Sequence, residues 1–331
     1  MVLKVLPVCE DSTLRGGFTK VSEATRHLTA ARLVSTLDDL GGSGFCTSTF
    51  EKMNRVYIVQ GSPPIYLERG WYRYLWRCGH CDIMYPYSRL SSEQLWFVME
   101  CELCGIPIHR VLLPCAQARL SVFAQVALAL AVGEKRLQLE HRDLNCGNIL
   151  IQTAGKWEDC CSQVPPTSCL EGRVYQPCRG PTAKIVDFTF ARLHHGASSF
   201  LSSLLHFLMQ CRRSVVFGPP MDRGLKGKWS LYRPRTNVFW LEFLARVYLV
   251  QHLRDSRVWR GIKVKACPIH CGSYDDGVST RTLGERQEEI LALLKKSGSA
   301  MDFVALAQKR APYLFQIERP QEKRSSSSDK T

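Results

Sequence analysis

The sequence lacks a hydrophobic run long enough to cross a membrane. Its most apolar stretch, SVFAQVALALAV, is interrupted by Gln125, whereas a membrane-spanning helix needs about 20 consecutive apolar residues. The first residues, MVLKVLPVCEDS, contain only a short apolar run and no small-residue cleavage pattern, so they do not resemble a secretory signal. We therefore expect an intracellular protein without a membrane partner.

The sequence also lacks internal repeats and is poor in acidic residues. Its 30 Asp and Glu residues are outnumbered by 44 Lys and Arg, which gives the 331-residue chain a formal net charge of +14. This balance favours contact with phosphates, nucleic acid or acidic surfaces, and a solvated basic surface is the alternative. No single block concentrates the charge as a nucleic-acid-binding arm would. We therefore expect no direct sequence-specific binding of nucleic acid.

Hydrophobic residues make up 45% of the chain, which is enough for a sizeable core in one large domain or two moderate ones. The 15 cysteines, in an intracellular protein, are expected to be reduced thiols, core residues or metal ligands rather than disulfides.

Hydrophobic patterning predicts a mixed first part and a mainly helical second part. Ser22 and Thr236 are expected to cap the predicted helices that begin near residues 21 and 236. Residues 152–183, rich in Pro, Gly, Ser and Cys, are predicted to form an inserted surface loop, and residues 319–331 a disordered tail. Strands are predicted at 2–8, 55–61, 94–105 and 184–193, the last two running into turns, and helices at 21–39, 116–137, 236–253 and 283–298.

The segment LEHRDLNCGNILI, residues 139–151, places polar residues between two apolar patches. Phosphoryl transfer requires a positioned phosphate, neutralised charge and an oriented hydroxyl. Protein kinases supply these with an Asp and an Asn from one loop, a second Asp from a later strand end, and a strand Lys. Asp143, Asn148, Asp187 and Lys4 occupy these positions in HRDLNCGN, VDFT and VLKV. The pattern predicts a kinase-type site; the alternative is a surface ion pair between Asp143 and Arg142, with Asp187 as a turn former.

Three features resemble the haspin-type protein kinases. The sequence EHRDLNCGNILI is similar to that family's catalytic loop, and a long insertion follows it before Asp187. The motif Asp-Phe-Thr at 187–189 is close to the family's Asp-Tyr-Thr, with no Ala-Pro-Glu after it. The segment WSLYRPRTNVFWLEFL, residues 229–244, is similar to the family's Trp…Tyr-x-Pro…Asn-Val-x-Trp-Leu segment.

The resemblance implies an α+β fold of two lobes. Residues 1–102 would form the smaller lobe and the hinge, with an incomplete sheet because no glycine-rich loop precedes Lys4. Residues 103–318 would form a mainly helical lobe that contains the insertion. The sequence RGGF, residues 15–18, lies on the wrong side of Lys4 to replace the missing loop.

The resemblance also implies ATP and Mg²⁺ as cofactors. Asp143 would orient the substrate hydroxyl, Asn148 and Asp187 would hold Mg²⁺, and Lys4 would reach the nucleotide phosphates. Met99 would be the gatekeeper residue. The backbone of Glu100, Cys101 and Glu102 would contact adenine. The implied activity is phosphorylation of a threonine in the tail of histone three, on chromosomes in the nucleus during mitosis.

Two departures from the family pattern accompany these expectations. His27 aligns with the helix Glu that normally pairs with the strand Lys, and Glu23, one turn earlier, is the better chemical partner for Lys4. Residues 197–228 lack the family's acidic stretch, and Pro107, His109 and Asn145 replace other family residues. A catalytically impaired pseudokinase or a fragment is therefore an alternative.

A zinc site is a further alternative. Cys78 and Cys81, followed after 19 residues by Cys101 and Cys104, have a spacing that suits tetrahedral Zn²⁺. In a basic protein, such a site would indicate a module associated with nucleic acid. The sequence CPIHC at 267–271 is a weaker candidate.

Overall fold

The computed structural model describes residues 1–9, 19–78, 92–111, 113, 115–152, 162–196, 198–201, 229–250 and 283–318. Its strands are β1 (Val2–Cys9), β2 (Thr19–Lys20), β3 (Cys46–Thr47), β4 (Met53–Gln60), β5 (Leu95–Cys101), β6 (Ile106–Pro107), β7 (Ile149–Gln152), β8 (Ser168–Leu170), β9 (Arg173–Pro177), β10 (Thr182–Ile185), β11 (Arg192–His195), β12 (Ser198–Leu201) and β13 (Phe315–Glu318). Its helices are α1 (Val21–Val34), α2 (Ile65–Cys78), α3 (Ala116–Leu137), α4 (Arg235–Leu244), α5 (Leu283–Lys296) and α6 (Ala300–Arg310). The predicted α+β fold of two lobes is confirmed.

The smaller lobe is built on a four-stranded sheet with the order β2-β1-β5-β4. The central strand β5 pairs antiparallel with both β1 and β4. On the other side of β1, in the part of the chain that the structure describes, β2 pairs with only two of its residues, Val8 and Cys9. Helix α1 lies against β1, and small buried residues such as Ala24 and Ala31 face inward.

The larger lobe is organised around α3, which has the predicted bounds and is almost entirely buried. Among the described helices, α3 is the one long and apolar enough to cross a membrane by length and composition. However, 89% of the most apolar 18-residue stretch of α3 is buried inside the fold. The helix therefore forms the core of this lobe. It contacts α6, β8 and β10.

The predicted helix caps are wrong at both positions. Lys20 occupies the N-cap position of α1, and Ser22 lies inside the first turn. Pro234 occupies the N-cap position of α4. The Thr236 hydroxyl instead donates a hydrogen bond to the buried carboxylate of Glu140 at 2.8 Å, a tertiary contact that the local sequence does not reveal.

Residues 152–183 do not form the irregular loop that their composition predicts. Within the described part of this segment, β8 and β9 form a hairpin, and β10 pairs with β7. The hairpin turns at Glu171 and Gly172, whose φ angles are 53° and 73°, the left-handed geometry of a tight hairpin turn. Strands β13, β9, β8 and β3 then make one sheet. The strands are too short to give a periodic signal; residues 153–161 and the predicted tail, 319–331, lie outside the described residues.

A capped helix, α6, follows α5 and was not predicted. The Ser299 hydroxyl accepts a hydrogen bond from the Asp302 amide at 3.0 Å, and the Asp302 carboxylate accepts one from the Gly298 amide at 3.0 Å. This reciprocal arrangement resembles a capping box. The sequence signal for α6 was therefore Ser299 followed three positions later by an acid.

The carboxylate of Glu134, in α3, lies under the start of α6. It accepts hydrogen bonds from the amides of Ala300 and Met301 at 3.0 and 3.1 Å and from the Asn237 side chain at 3.0 Å.

We expect Glu134→Ala to lower the free energy of unfolding by about 3 kcal/mol or more, because buried donors lose their acceptor. Glu134→Gln keeps one acceptor oxygen and should cost less. Urea denaturation of both variants measures this difference, and equal losses would contradict the explanation.

Candidate active site

A cavity of about 460 Å³ lies between the first sheet and the larger lobe. Five residues predicted from the sequence to bind nucleotide or metal line it: Lys4, Glu23, Met99, Asn148 and Asp187. They belong to β1, α1, β5, the loop before β7 and the turn after β10, respectively. The fold therefore brings together side chains that are far apart in the sequence.

Lys4 pairs with Glu51 and not with the predicted Glu23. The Lys4 Nζ atom lies 2.7 Å from Glu51 Oε2, and the Glu51 side chain is 7% exposed. Burial by itself would lower the pKa of Lys4. The attraction of Glu51 outweighs this effect, so the pKa of Lys4 is raised overall. The ammonium therefore stays charged at the cavity wall. Glu23 also lines the cavity.

Glu51 reaches Lys4 because its backbone is fixed to the larger lobe. The Glu51 amide donates to the Ile185 carbonyl at 2.9 Å, and the Ile185 amide donates to the Thr49 carbonyl at 2.8 Å. Phe50 and Ile185 form a parallel bridge between these bonds. The Lys4 partner thus comes from the segment before β4, and no motif in the sequence marks it.

Asp143 and Asn148 are held together in the loop before β7. Asn148 Nδ2 donates to the Asp143 carbonyl at 2.8 Å and to Asp143 Oδ2 at 3.1 Å. Asn145 donates to Asp143 Oδ1 at 3.0 Å. Burial raises the pKa of Asp143 to about 6, although the hydrogen bonds from Asn145 and Asn148 oppose this rise. A carboxylate whose pKa lies near neutral pH is suited to accept a proton.

Asp187 lies at the cavity in a left-handed backbone conformation, with φ of 65°. Its carboxylate accepts hydrogen bonds from the Thr189 amide, at 3.1 Å, and hydroxyl. Burial alone would raise the pKa of Asp187, but these bonds and the nearby side chains of His27 and Lys4 lower it. Asp187 is therefore ionised, and His27, from α1, lies where the family alignment places a Glu.

His141 ties the Asp143 loop to the strand end before Asp187. Its Nε2 donates to the Val186 carbonyl at 3.1 Å, and its Nδ1 accepts from the Asp143 amide at 3.4 Å. Burial lowers the pKa of His141 to about 4, so the ring is neutral. The ring also lies 5.3 Å from the Phe188 ring. His141 belongs to the HRDLNCGN motif, but the local sequence does not reveal this linking role.

Glu140 anchors the same loop to α4. Its carboxylate accepts two hydrogen bonds from the Arg142 guanidinium, at 3.0 and 3.2 Å, and both side chains are 0% exposed. It also accepts from the Thr236 hydroxyl at 2.8 Å and the Arg233 amide at 2.9 Å. The alternative of a surface ion pair between Arg142 and Asp143 is therefore wrong, because Arg142 is buried against Glu140.

The segment predicted to bind adenine lies at the end of β5 and directly after it. Met99 lies opposite Lys4 in the β1–β5 register and is 1% exposed. The Glu100 carboxylate accepts a hydrogen bond from the Tyr57 hydroxyl at 3.0 Å. The Glu102 amide already donates to the Lys52 carbonyl at 2.9 Å, so a hydrogen bond from this amide to adenine would require that contact to break.

The zinc alternative finds little support in the described residues. Cys101 and Cys104 are 1% and 3% exposed, and burial raises the pKa of the Cys101 thiol to about 11. The described part of the chain has no cluster of three or more His, Cys, Asp and Glu residues that could hold a metal ion. The Cys78 side chain, Cys81 and the segment 267–271 lie outside the described residues.

A family model described as "Haspin like kinase domain" matches residues 1–265. The chain belongs to this family. The match covers most of the chain and includes the first sheet, α3, α4, the residues that line the cavity and the loop with Asp143 and Asn148. Membership in the haspin-like kinase domain family confirms the resemblance inferred from the three sequence features.

Curated relatives carry the same family name. The chain is 25% identical over 270 residues to a serine/threonine-protein kinase haspin homolog of Drosophila melanogaster, covering 80% of this chain and 45% of the relative. It is 27% identical over 259 residues to the serine/threonine-protein kinase haspin of Bos taurus, and this match covers 76% of this chain and 32% of the relative. It is 28% identical over 220 residues to a haspin homolog of Schizosaccharomyces pombe, and this match covers 60% of this chain and 44% of the relative. The chain therefore spans less than half the length of these relatives.

The Glu140–Arg142 pair predicts a large stability difference between two acid-to-amide changes. Glu140→Gln leaves the buried Arg142 without a counter-charge, which should cost about 3–5 kcal/mol. Glu242→Gln is the matched control, because it breaks a pair with Arg235 whose side chains are 20% and 35% exposed, worth about 1 kcal/mol or less. Guanidinium denaturation measures both, and similar losses would show that Glu140 is not the anchor.

Proposed function

We propose that the chain is an ATP-dependent protein serine/threonine kinase of haspin type. The observation that carries this proposal is the convergence of Lys4, Asn148 and Asp187 at one cavity, with Asp143 bonded to Asn148. Phosphoryl transfer depends on positioning and electrostatic stabilisation more than on covalent chemistry. The cavity offers a fixed cation and an ionised carboxylate, and Asn148 links it to a second carboxylate, Asp143, whose pKa is raised. The proposed boundary between the lobes follows Glu102.

ATP would lie along β1 and β5. Lys4, held by Glu51, would bind the α- and β-phosphates through its charged ammonium. Met99, on the neighbouring strand and directly opposite Lys4, would be the gatekeeper beside the adenine ring. In this proposal, the backbone of Glu100 and Cys101 would make the remaining contacts with adenine.

Asn148 and Asp187 would hold Mg²⁺ beside the phosphates. Their side chains offer amide and carboxylate oxygens, which are the hard ligands that Mg²⁺ prefers. Asp187 suits this role because its pKa is lowered. A bound cation would neutralise the negative charge that develops on the phosphates.

Asp143 would orient the substrate hydroxyl and accept its proton as the γ-phosphoryl group is transferred. Its raised pKa, about 6, lies close to neutral pH, where a general base is effective. Asn145 and Asn148 fix the carboxylate orientation through hydrogen bonds at 3.0 and 3.1 Å.

The proposed protein substrate is a threonine in the tail of histone three, and the proposed location is on chromosomes in the nucleus. Family membership supports this assignment. Around Asp143 this chain carries an amide and an imidazole rather than carboxylates: Asn145 donates to Asp143, and His109 Nδ1 lies 3.1 Å from the Cys146 carbonyl. A histone peptide assay therefore also tests whether a basic tail binds without acidic residues at these positions.

We expect the purified chain to bind MgATP and the Asp187→Asn variant to lose most of this binding, because the metal loses its anionic ligand. Titration calorimetry with and without Mg²⁺ measures the effect. Removal of Mg²⁺ should weaken binding to the wild-type chain more than to the variant. Glu242→Gln serves as a control away from the cavity.

Absence of MgATP binding to the wild-type chain would overturn the proposal and favour a catalytically impaired pseudokinase. Binding without transfer to a histone-three peptide would retain a nucleotide-binding kinase fold and reject the proposed substrate. Transfer to a different peptide would support the kinase and change only its target.

The Lys4–Glu51 pair predicts different effects of two similar substitutions. Glu51→Gln should raise the KM for ATP and lower kcat by roughly tenfold or more, because Lys4 loses the charge that positions it. Glu23→Gln should have a smaller effect, because Glu23 lines the cavity without bonding to Lys4 in this structure. Steady-state kinetics on both variants checks the order. A larger effect from Glu23→Gln would restore the pairing expected from the sequence.

A further inference from the structure

Cys46 and Cys169 lie directly opposite each other on the antiparallel strands β3 and β8. Both are half-buried free thiols. Opposite residues of an antiparallel pair have Cα atoms roughly 4.5–5.5 Å apart, within the roughly 4.4–6.8 Å that a disulfide spans. The backbone therefore already meets the main geometric condition for a bond between the two sulfurs.

The neighbouring pair shows that both thiols are on the same face of the sheet. Thr47 and Ser168 are paired next to the cysteines, and the Ser168 hydroxyl donates to Thr47 Oγ1 at 2.9 Å in the interior. Because successive side chains alternate between the faces of a strand, Cys46 and Cys169 share the opposite, more accessible face.

The Cys46 sulfur is close enough to influence Cys169. Burial, together with the adjacent sulfur of Cys46, raises the pKa of Cys169 to about 11. Cys101 and Cys104, by contrast, are enclosed in the core at 1% and 3% exposure, where an oxidant has little access.

We propose that Cys46 and Cys169 form a redox-active dithiol that peroxide converts into a cross-strand disulfide between β3 and β8. The Cys46 sulfur attacks hydrogen peroxide, which gives a sulfenic acid and one water. The Cys169 sulfur then displaces the hydroxyl group of that sulfenic acid, which forms the S–S bond and releases a second water. The two sulfurs are oxidised and the peroxide is reduced, so atoms and electrons balance.

The disulfide would fix the segment that supports the active site. The chain runs from Cys46 through Thr49, which bonds to Ile185, to Glu51, which bonds to Lys4. Since the cysteines are already in register, the bond would hold this segment in its present position. It would also close a loop of roughly 120 residues in the unfolded chain, which stabilises the native state.

Peptide mapping of the full chain tests the proposal without any variant. The protein is purified with reductant, exposed to hydrogen peroxide, blocked with N-ethylmaleimide and digested with trypsin without reduction. We expect the peptide 33–52, which contains Cys46, to be linked to the peptide 157–173. Cys160, Cys161 and Cys169 share the second peptide, and fragmentation before Pro165 separates Cys169 from the other two.

Linkage of Cys46 to Cys160 or Cys161, or separate oxidation of Cys46 and Cys169 without a linked peptide, would overturn the assignment. Cys46→Ser and Cys169→Ser should each abolish the linked peptide, whereas Cys9→Ser, at another half-buried thiol, should leave it intact. The oxidised wild-type chain should melt roughly 5 °C or more above the reduced chain. Reductant should reverse this shift, and the two strand variants should not show it.

Discussion

The buried carboxylate of Glu140 is the interaction on which the active-site geometry depends. A charge at 0% exposure is tolerated only where charged and hydrogen-bonding partners compensate its lost hydration. Glu140 obtains them from Arg142 in its own loop and from Thr236 and the Arg233 amide beside α4. Satisfying this one group fixes the loop against the core of the larger lobe. Asp143, which directly follows Arg142 in this loop, therefore has a defined position before any substrate binds.

A second constraint joins the two lobes at the cavity. The backbone around Phe50 pairs with Ile185, two positions before Asp187. The same short segment presents Glu51 to Lys4 of the first sheet. A small displacement of this segment would move the Lys4 ammonium and the Asp187 carboxylate relative to each other. The proposed disulfide at Cys46 acts on the other end of this segment, so the redox chemistry and the nucleotide site share one structural element.

Sequence and structure agree most closely in placement where a short stretch contains all the necessary information. Asp143 and Asn148 lie five positions apart in one loop, and α3 has a continuous apolar pattern over its whole length. The same reasoning missed the β8–β9 hairpin, because three- and five-residue strands have no measurable period and only the Glu171-Gly172 turn marks them. It also assigned Thr236 to a helix cap, although its hydroxyl bonds to Glu140, 96 positions away.

The sequence by itself determined the family and the α+β architecture, and it placed Asp143 and Asn148 in one loop. These properties follow from local motifs and from hydrophobic periodicity. Only the tertiary structure decided that Glu51 is the partner of Lys4, that Arg142 is buried against Glu140, and that Cys46 lies opposite Cys169. Such choices depend on strand register and on the burial of charge. Both are set by contacts between distant segments, such as Lys4 with Glu51, 47 positions apart, and Glu140 with Thr236, 96 positions apart, which no local pattern encodes.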